Sequence, residues 1–199
     1  MMKFDEIFER LGGVDTSIKY KNDSEVYDNE KVDLIQLEKF DVNHNFMQFI
    51  LEHPPFQFKE NVAIKNTNKE LLNLMKEELL HVNIFYSMNK NSKYSISKEL
   101  DLLNDQIPKN LFPFCSDGYS GDFFCIGIEK ENYGEIFYFW HEGHHERFFK
   151  ICDSFDIFLK SLINFNIPVD DFYDEEDNTP PSGDFKSTLL KWKEKHGLN

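Results

Sequence analysis

Two short segments constrain the fold of this chain more than any others. Residues 122–128 read Asp-Phe-Phe-Cys-Ile-Gly-Ile, and residues 135–140 read Glu-Ile-Phe-Tyr-Phe-Trp. In an extended chain successive side chains point to opposite faces. Phe123 and Cys125 then lie on one face, with Phe124, Ile126 and Ile128 on the other. Ile136, Tyr138 and Trp140 likewise oppose Phe137 and Phe139. Neither face of either segment is fit for water, so both segments belong in the middle of a sheet covered on both sides. The Glu131-Asn-Tyr-Gly134 turn between them suits an antiparallel hairpin.

The surrounding chain supplies the covering layers. Phe4, Ile7, Phe8 and Leu11 fall at helical spacing before Gly12-Gly13 stops the pattern. Val32, Ile35, Leu37 and Phe40 suggest a second short helix, and Phe46, Phe49 and Ile50 share a helical face ahead of Pro54-Pro55. Phe56 to Ile64 alternates as a strand. The capping pattern Thr67-x-x-Glu70 precedes Leu71, Leu74, Met75, Leu79 and Val82, which predict one amphipathic helix, followed by a strand at Ile84-Phe85-Tyr86. Ile96, Leu100 and Leu103 predict another helix. Leu111-Phe-Pro-Phe-Cys115 is a strand entering the turn Ser116-Asp-Gly-Tyr-Ser-Gly121, and Asp153-Ser154 caps a helix carrying Phe155, Phe158, Leu159 and Leu162. The sum is an α+β fold, a mostly antiparallel central sheet packed with helices. We read residues 1–199 as one domain with its core at 40–165, a helical arm at 1–39, and an acidic linker and C-terminal helix at 166–199.

Charge bounds the partners. The chain carries 22 basic and 36 acidic residues, a net of -14. Such a surface repels phosphate backbones and anionic lipid, so neither nucleic acid nor membrane is an expected partner. It attracts basic proteins and speeds their encounter. The charged N-terminus is unlike a signal peptide, and no apolar run approaches the roughly 20 residues of a membrane span, so a cytoplasmic location is expected. Cys115, Cys125 and Cys152 follow no metal spacing and are expected as buried free thiols.

Three groupings invite a chemical reading. His141-Glu-Gly-His144-His145-Glu146 offers nitrogen and oxygen ligands, but the spacing is not H-E-x-x-H, and a polar turn explains it better than zinc. Ser116 to Asp122 has Gly and Asp as a tight turn requires, and lacks both the strand-turn-helix setting of a nucleophile elbow and the ligand set of a calcium loop. A Cys nucleophile beside a His base is a third possibility that spacing does not support. No catalytic residue and no cofactor are expected.

The order of these elements resembles the SUKH superfamily, which includes cell-wall-assembly regulators. The resemblance rests on Ile107-Pro108, the apolar strand with Pro113, the Asp117 turn, Gly121-Asp122, the Gly134-led strand ending at Trp140-His141-Glu142, and the Ser154-Phe-x-x-Phe158-Leu159 helix. Phe46-Met-Gln-Phe49 and Ile84-Phe-Tyr86 match the upstream helix and strand. Where members often carry Asn-Gly after that first helix, this chain has His53-Pro54-Pro55. The resemblance implies an α+β fold and a non-enzymatic role in binding another protein. Many bacterial members look like immunity proteins that neutralise a cognate toxin, often a nuclease. The expected partner is therefore a basic toxin, blocked by contact. Candidate partner-binding residues are Asp117 and Tyr119 in the central turn, Trp140 and Glu142 after the hairpin, and Asp170, Asp171, Asp174, Glu175 and Glu176 in the acidic segment. The alternatives are a regulatory or scaffold protein that meets no toxin, and a metal-dependent enzyme using His141, His144 and His145.

Overall fold

The computed structural model describes residues 4–16, 45–53, 55–88, 92–103, 106–118, 121–144 and 146–165. The helices expected near residues 32–40 and 184–196 and the acidic segment lie outside these residues. The described helices are α1 (Phe4–Arg10), α2 (Asn45–Glu52), α3 (Lys69–Met75), α4 (Ile96–Leu103) and α5 (Phe155–Ser161). The strands are β1 (Val14–Asp15), β2 (Phe56–Lys65), β3 (Leu79–Phe85), β4 (Leu111–Ser116), β5 (Phe123–Gly127), β6 (Ile136–Phe139), β7 (Phe148–Cys152) and β8 (Ile163–Asn164).

The strands form one antiparallel sheet in the order β1-β2-β3-β4-β5-β6-β7, and β8 also pairs with β2. Each strand from β2 to β7 lies beside its successor in the chain, as short connections favour. The predicted hairpin is β5–β6, with Phe124 opposite Tyr138 and Cys125 opposite Phe137. Gly134 closes its turn at φ 80, a left-handed conformation that glycine adopts without strain.

Two apolar layers cover the sheet, divided as the two-faced strands require. Phe124, Ile126, Ile136 and Tyr138 join the large core under α1, α2 and α5. Phe123, Cys125 and Phe139 join a smaller core with Ile107 and Leu111, against which Leu100 and Leu103 of α4 pack. In the large core, Phe46 of α2 meets Phe112, Phe114 and Phe155 edge-on, with ring centroids 6.2, 5.7 and 5.1 Å away. Edge-to-face pairs of this kind add to the roughly 1.5–3 kcal/mol that burial of each such side chain contributes.

The first helix is part of this core rather than an arm beside it. Phe4, Ile7, Phe8 and Leu11 are all buried there. The Arg10 guanidinium donates to the carbonyls of Leu162 at 2.7 Å and Leu159 at 3.3 Å, satisfying the C-terminal end of α5. Asn45 in turn donates to the Asp156 carboxylate at 2.8 Å, tying α2 to α5.

One segment departs from its periodicity. The helix expected to run through Val82 stops at Met75, and Leu79–Phe85 is a strand. Lys76 adopts φ 60, the left-handed conformation that ends helices, and its N–H donates to Leu72 O. Leu79 and Val82, read above as helical, fall in the strand, where Leu80 and Val82 are buried at period two instead. The cap also shifts by one residue. Asn68 accepts from the N–H groups of Glu70 and Leu71, both at 3.0 Å, while Thr67 donates its hydroxyl to Ile151 O at 2.8 Å. A further strand, β7, lies in a segment to which the sequence reading assigned no element. Among the described residues no helix is long and apolar enough to cross a membrane.

Candidate functional site

At one end of the β5–β6 hairpin two turns meet over the buried carboxylate of Asp122. The first turn runs from Ser116 to Asp122 and is closed by Asp117 N–H donating to Asp122 O at 3.0 Å. Gly118 takes φ 85 within it, and a Cβ there would strike the Asn83 side chain of β3. The second turn follows β6 directly, from Trp140 through the loop to Arg147. Trp140 N–H donates to Arg147 O at 2.8 Å, Gly143 N–H to Trp140 O at 3.1 Å, and Arg147 Nε to Gly143 O at 2.9 Å.

Asp122 joins the two turns. It is only 2% exposed, yet its carboxylate accepts from Tyr138 Oη at 3.0 Å and from the backbone N–H of His141 at 2.8 Å. His141 Nδ1 stands 2.6 Å from the same Oδ1. A carboxylate has no proton to give, so Nδ1 is the donor, and Nε2 is left as the open position of a ring that is 44% exposed. Tyr138 stays a neutral donor. Burial first, then the negative charges of Asp122 and Asp117, push its hydroxyl well above the usual range. Three donors on a buried carboxylate are what makes such a charge tolerable inside a protein.

Asp117, Trp140 and Glu142, named above as candidate contacts, lie in or beside these two turns. Their exposures differ. Asp117 is 5% exposed and sits inside its turn. Trp140 is half-buried and packs against the large core. Glu142 is exposed at the tip of the second turn, beside His141 and His144. Tyr119, Asp170, Asp171, Asp174, Glu175 and Glu176 lie outside the described residues. The residue that organises the site, Asp122, was read from sequence as the junction of a tight turn and a strand and as part of the Gly121-Asp122 resemblance, and was given no role in a site. Its signal was phase: it alternates in register with Phe124 and Ile126, the inward face of β5.

The remaining reactive side chains are less poised. Burial pushes the thiols of Cys115 and Cys125 well up, and that of Cys152 to about 11, so none is a ready thiolate at neutral pH. All three are free thiols. Among the described residues no group of three His, Cys, Asp or Glu side chains converges to hold a metal ion.

Comparison with known proteins places this architecture. A sequence model of the SUKH_6 family, described as SMI1-KNR4 cell-wall, matches residues 22–159, well over half of the chain. The chain belongs to the SUKH superfamily. It is also 33% identical over 88 residues to the SPbeta prophage-derived uncharacterized protein YokK of Bacillus subtilis (strain 168). That match covers 43% of this chain and 43% of the relative, so it spans less than half the relative's length. In this SUKH protein the family match begins after α1 and β1, yet α1 is built into the same core.

Proposed function

We propose that this SUKH protein is an immunity protein, which binds a cognate bacterial toxin and blocks it by contact. Membership of the superfamily carries the reading, because many of its bacterial members look like toxin inhibitors. The likeness to a prophage-derived protein supports a mobile, competitive setting. The net charge of -14 supports a basic partner, such as a nuclease whose cleft is built for phosphate. The contact surface in this reading is the pair of turns around Asp122. Glu142 and Trp140 face the partner and His141 offers its open ring nitrogen; Asp170, Asp171, Asp174, Glu175 and Glu176 are further candidate contacts on the ground of their charge alone.

Co-expression tests this. A toxin encoded beside this gene loses its lethality when the SUKH protein is present, the two purify as a complex, and association slows as salt is raised. If no neighbouring gene product binds, the immunity reading fails. If one binds with a rate indifferent to salt, the electrostatic part fails. A second reading, a regulatory or scaffold protein, draws on the cell-wall description of the family. A gene neighbourhood of envelope-assembly functions without a toxin would favour it.

A further inference from the structure

At the opposite end of the β6–β7 ladder from Asp122 lies an opening of about 710 Å³ between the end of β2, the start of α3, the end of β7 and α5. Its charge runs against that of the chain. Lys65, Lys69 and Lys150 line it with one acidic residue, Asp153, whereas the whole sequence has 36 acidic residues to 22 basic. Asp153 is already engaged, because Lys150 Nζ donates to it at 2.8 Å and also to Glu135. No ion pair involves Lys65 or Lys69 among the described residues, and both are exposed.

The rim is held in place by the same bonds that displaced the expected helix cap. Thr67 donates to Ile151 O at 2.8 Å and Asn68 to Lys150 O at 3.1 Å. These two contacts stitch the β2–α3 turn to the edge strand β7, and so set Lys150 beside Lys65 and Lys69, which lie some 80 residues earlier in the sequence, around one mouth. Ile64 and Ile151 lie buried beneath it, and Ile157 of α5 stands 45% exposed at its side. A large exposed aliphatic side chain beside paired cations suits a ligand that is both acidic and apolar.

We propose that this opening is a second docking site, which takes a carboxylate-rich segment of another protein: Lys65 and Lys69 receive its carboxylates and Ile157 packs against an apolar side chain between them. The site is independent of the acidic turns and of the toxin reading, and is complementary to a partner of opposite charge.

The test uses the full-length protein and a fluorescein-labelled peptide, Asp-Glu-Asp-Leu-Glu-Asp-Phe-Glu, followed by anisotropy at low and physiological ionic strength. Saturable binding that weakens with salt is expected. K65E and K69E each weaken it roughly fivefold or more, because each reversal removes an exposed charge pair and also sets a like charge against the peptide. I157A weakens it without changing the salt dependence. K59E makes the same charge change on an exposed residue of the same strand, away from the opening, and leaves binding within a factor of two. Circular dichroism confirms that the variants keep the fold. In ¹⁵N spectra the perturbed amides cluster at 64–69, 150–153 and 157–161. The proposal is overturned if the wild-type protein does not bind the peptide, if K59E weakens binding as much as K65E, or if inorganic phosphate displaces the peptide at equal concentration.

Discussion

Replacing Asp122 by Ala tests the construction of the candidate site. The substitution strips an acceptor from three donors at once. The Tyr138 hydroxyl is the costly one, since Tyr138 is 2% exposed and water cannot readily replace the carboxylate. A buried donor left without a partner costs about 1–3 kcal/mol. The two His141 donors lie on a half-exposed residue where solvent substitutes, and add roughly 0.5–1 kcal/mol. D122A should therefore lose about 1.5–4 kcal/mol, a large share of the 5–15 kcal/mol of a typical domain but short of unfolding it. Y138F removes the stranded hydroxyl, so D122A/Y138F should be hardly less stable than D122A alone. Urea denaturation of the four proteins gives this coupling as a double-mutant cycle. The ¹⁵N shifts of the His141 ring give a second readout: the neutral ring carries its proton on Nδ1 in the wild type and loses that preference in D122A. A D122A cost below about 1 kcal/mol, additivity of the two substitutions, or a ring protonated on Nε2 in the wild type would refute the reasoning.

Other perturbations follow from the same structure. G118A should cost more than G121A in urea denaturation: both positions have positive φ, worth about 1–2 kcal/mol, but only Gly118 also faces the Asn83 side chain. F46A should lose about 3–5 kcal/mol by the same measurement, because it opens a cavity among Phe112, Phe114 and Phe155 where the sheet and two helices meet. His53 is ringed by Phe4, Phe8, Phe49 and Phe56, and burial lowers its pKa despite Glu52 and Asp5 nearby. Below the unfolded value of 6.5 the unfolded chain takes up this proton and the folded one resists it, so stability falls as the pH drops through that value. H53L should lessen this fall in midpoint-against-pH curves from pH 7 downward, leaving the share owed to His81, which burial lowers in the same direction.

What was legible in the sequence was whatever depended on local alternation of polarity. Phe123–Gly127 and Ile136–Phe139 must be extended and inner, since no helix or edge strand would hide both of their faces. That Asp117 lies at the same end as Trp140 and Glu142 follows from the turn that leads from β4 into β5 and the hairpin that joins β5 to β6. The end of β3, Ile84-Phe85, was read as a strand, but its start was misread because Leu79 and Val82 continue the helical spacing of Leu71 and Met75, while the left-handed turn that ends the helix falls on Lys76, a residue with no intrinsic preference for it. Strand β7 went unassigned because its bonds are made to β6 and, through Thr67 and Asn68, to a turn some 80 residues earlier.

The order of polar and apolar residues by itself thus determined that this chain makes a covered antiparallel sheet. Tertiary structure alone decided that Asp122 is the acceptor on which two turns depend, and that three lysines of an acidic protein share one opening. The physical reason is range. Alternation acts between neighbours in the chain and can be read along it, whereas a buried carboxylate or a ring of charges is defined by groups that meet only once the sheet has closed around its core.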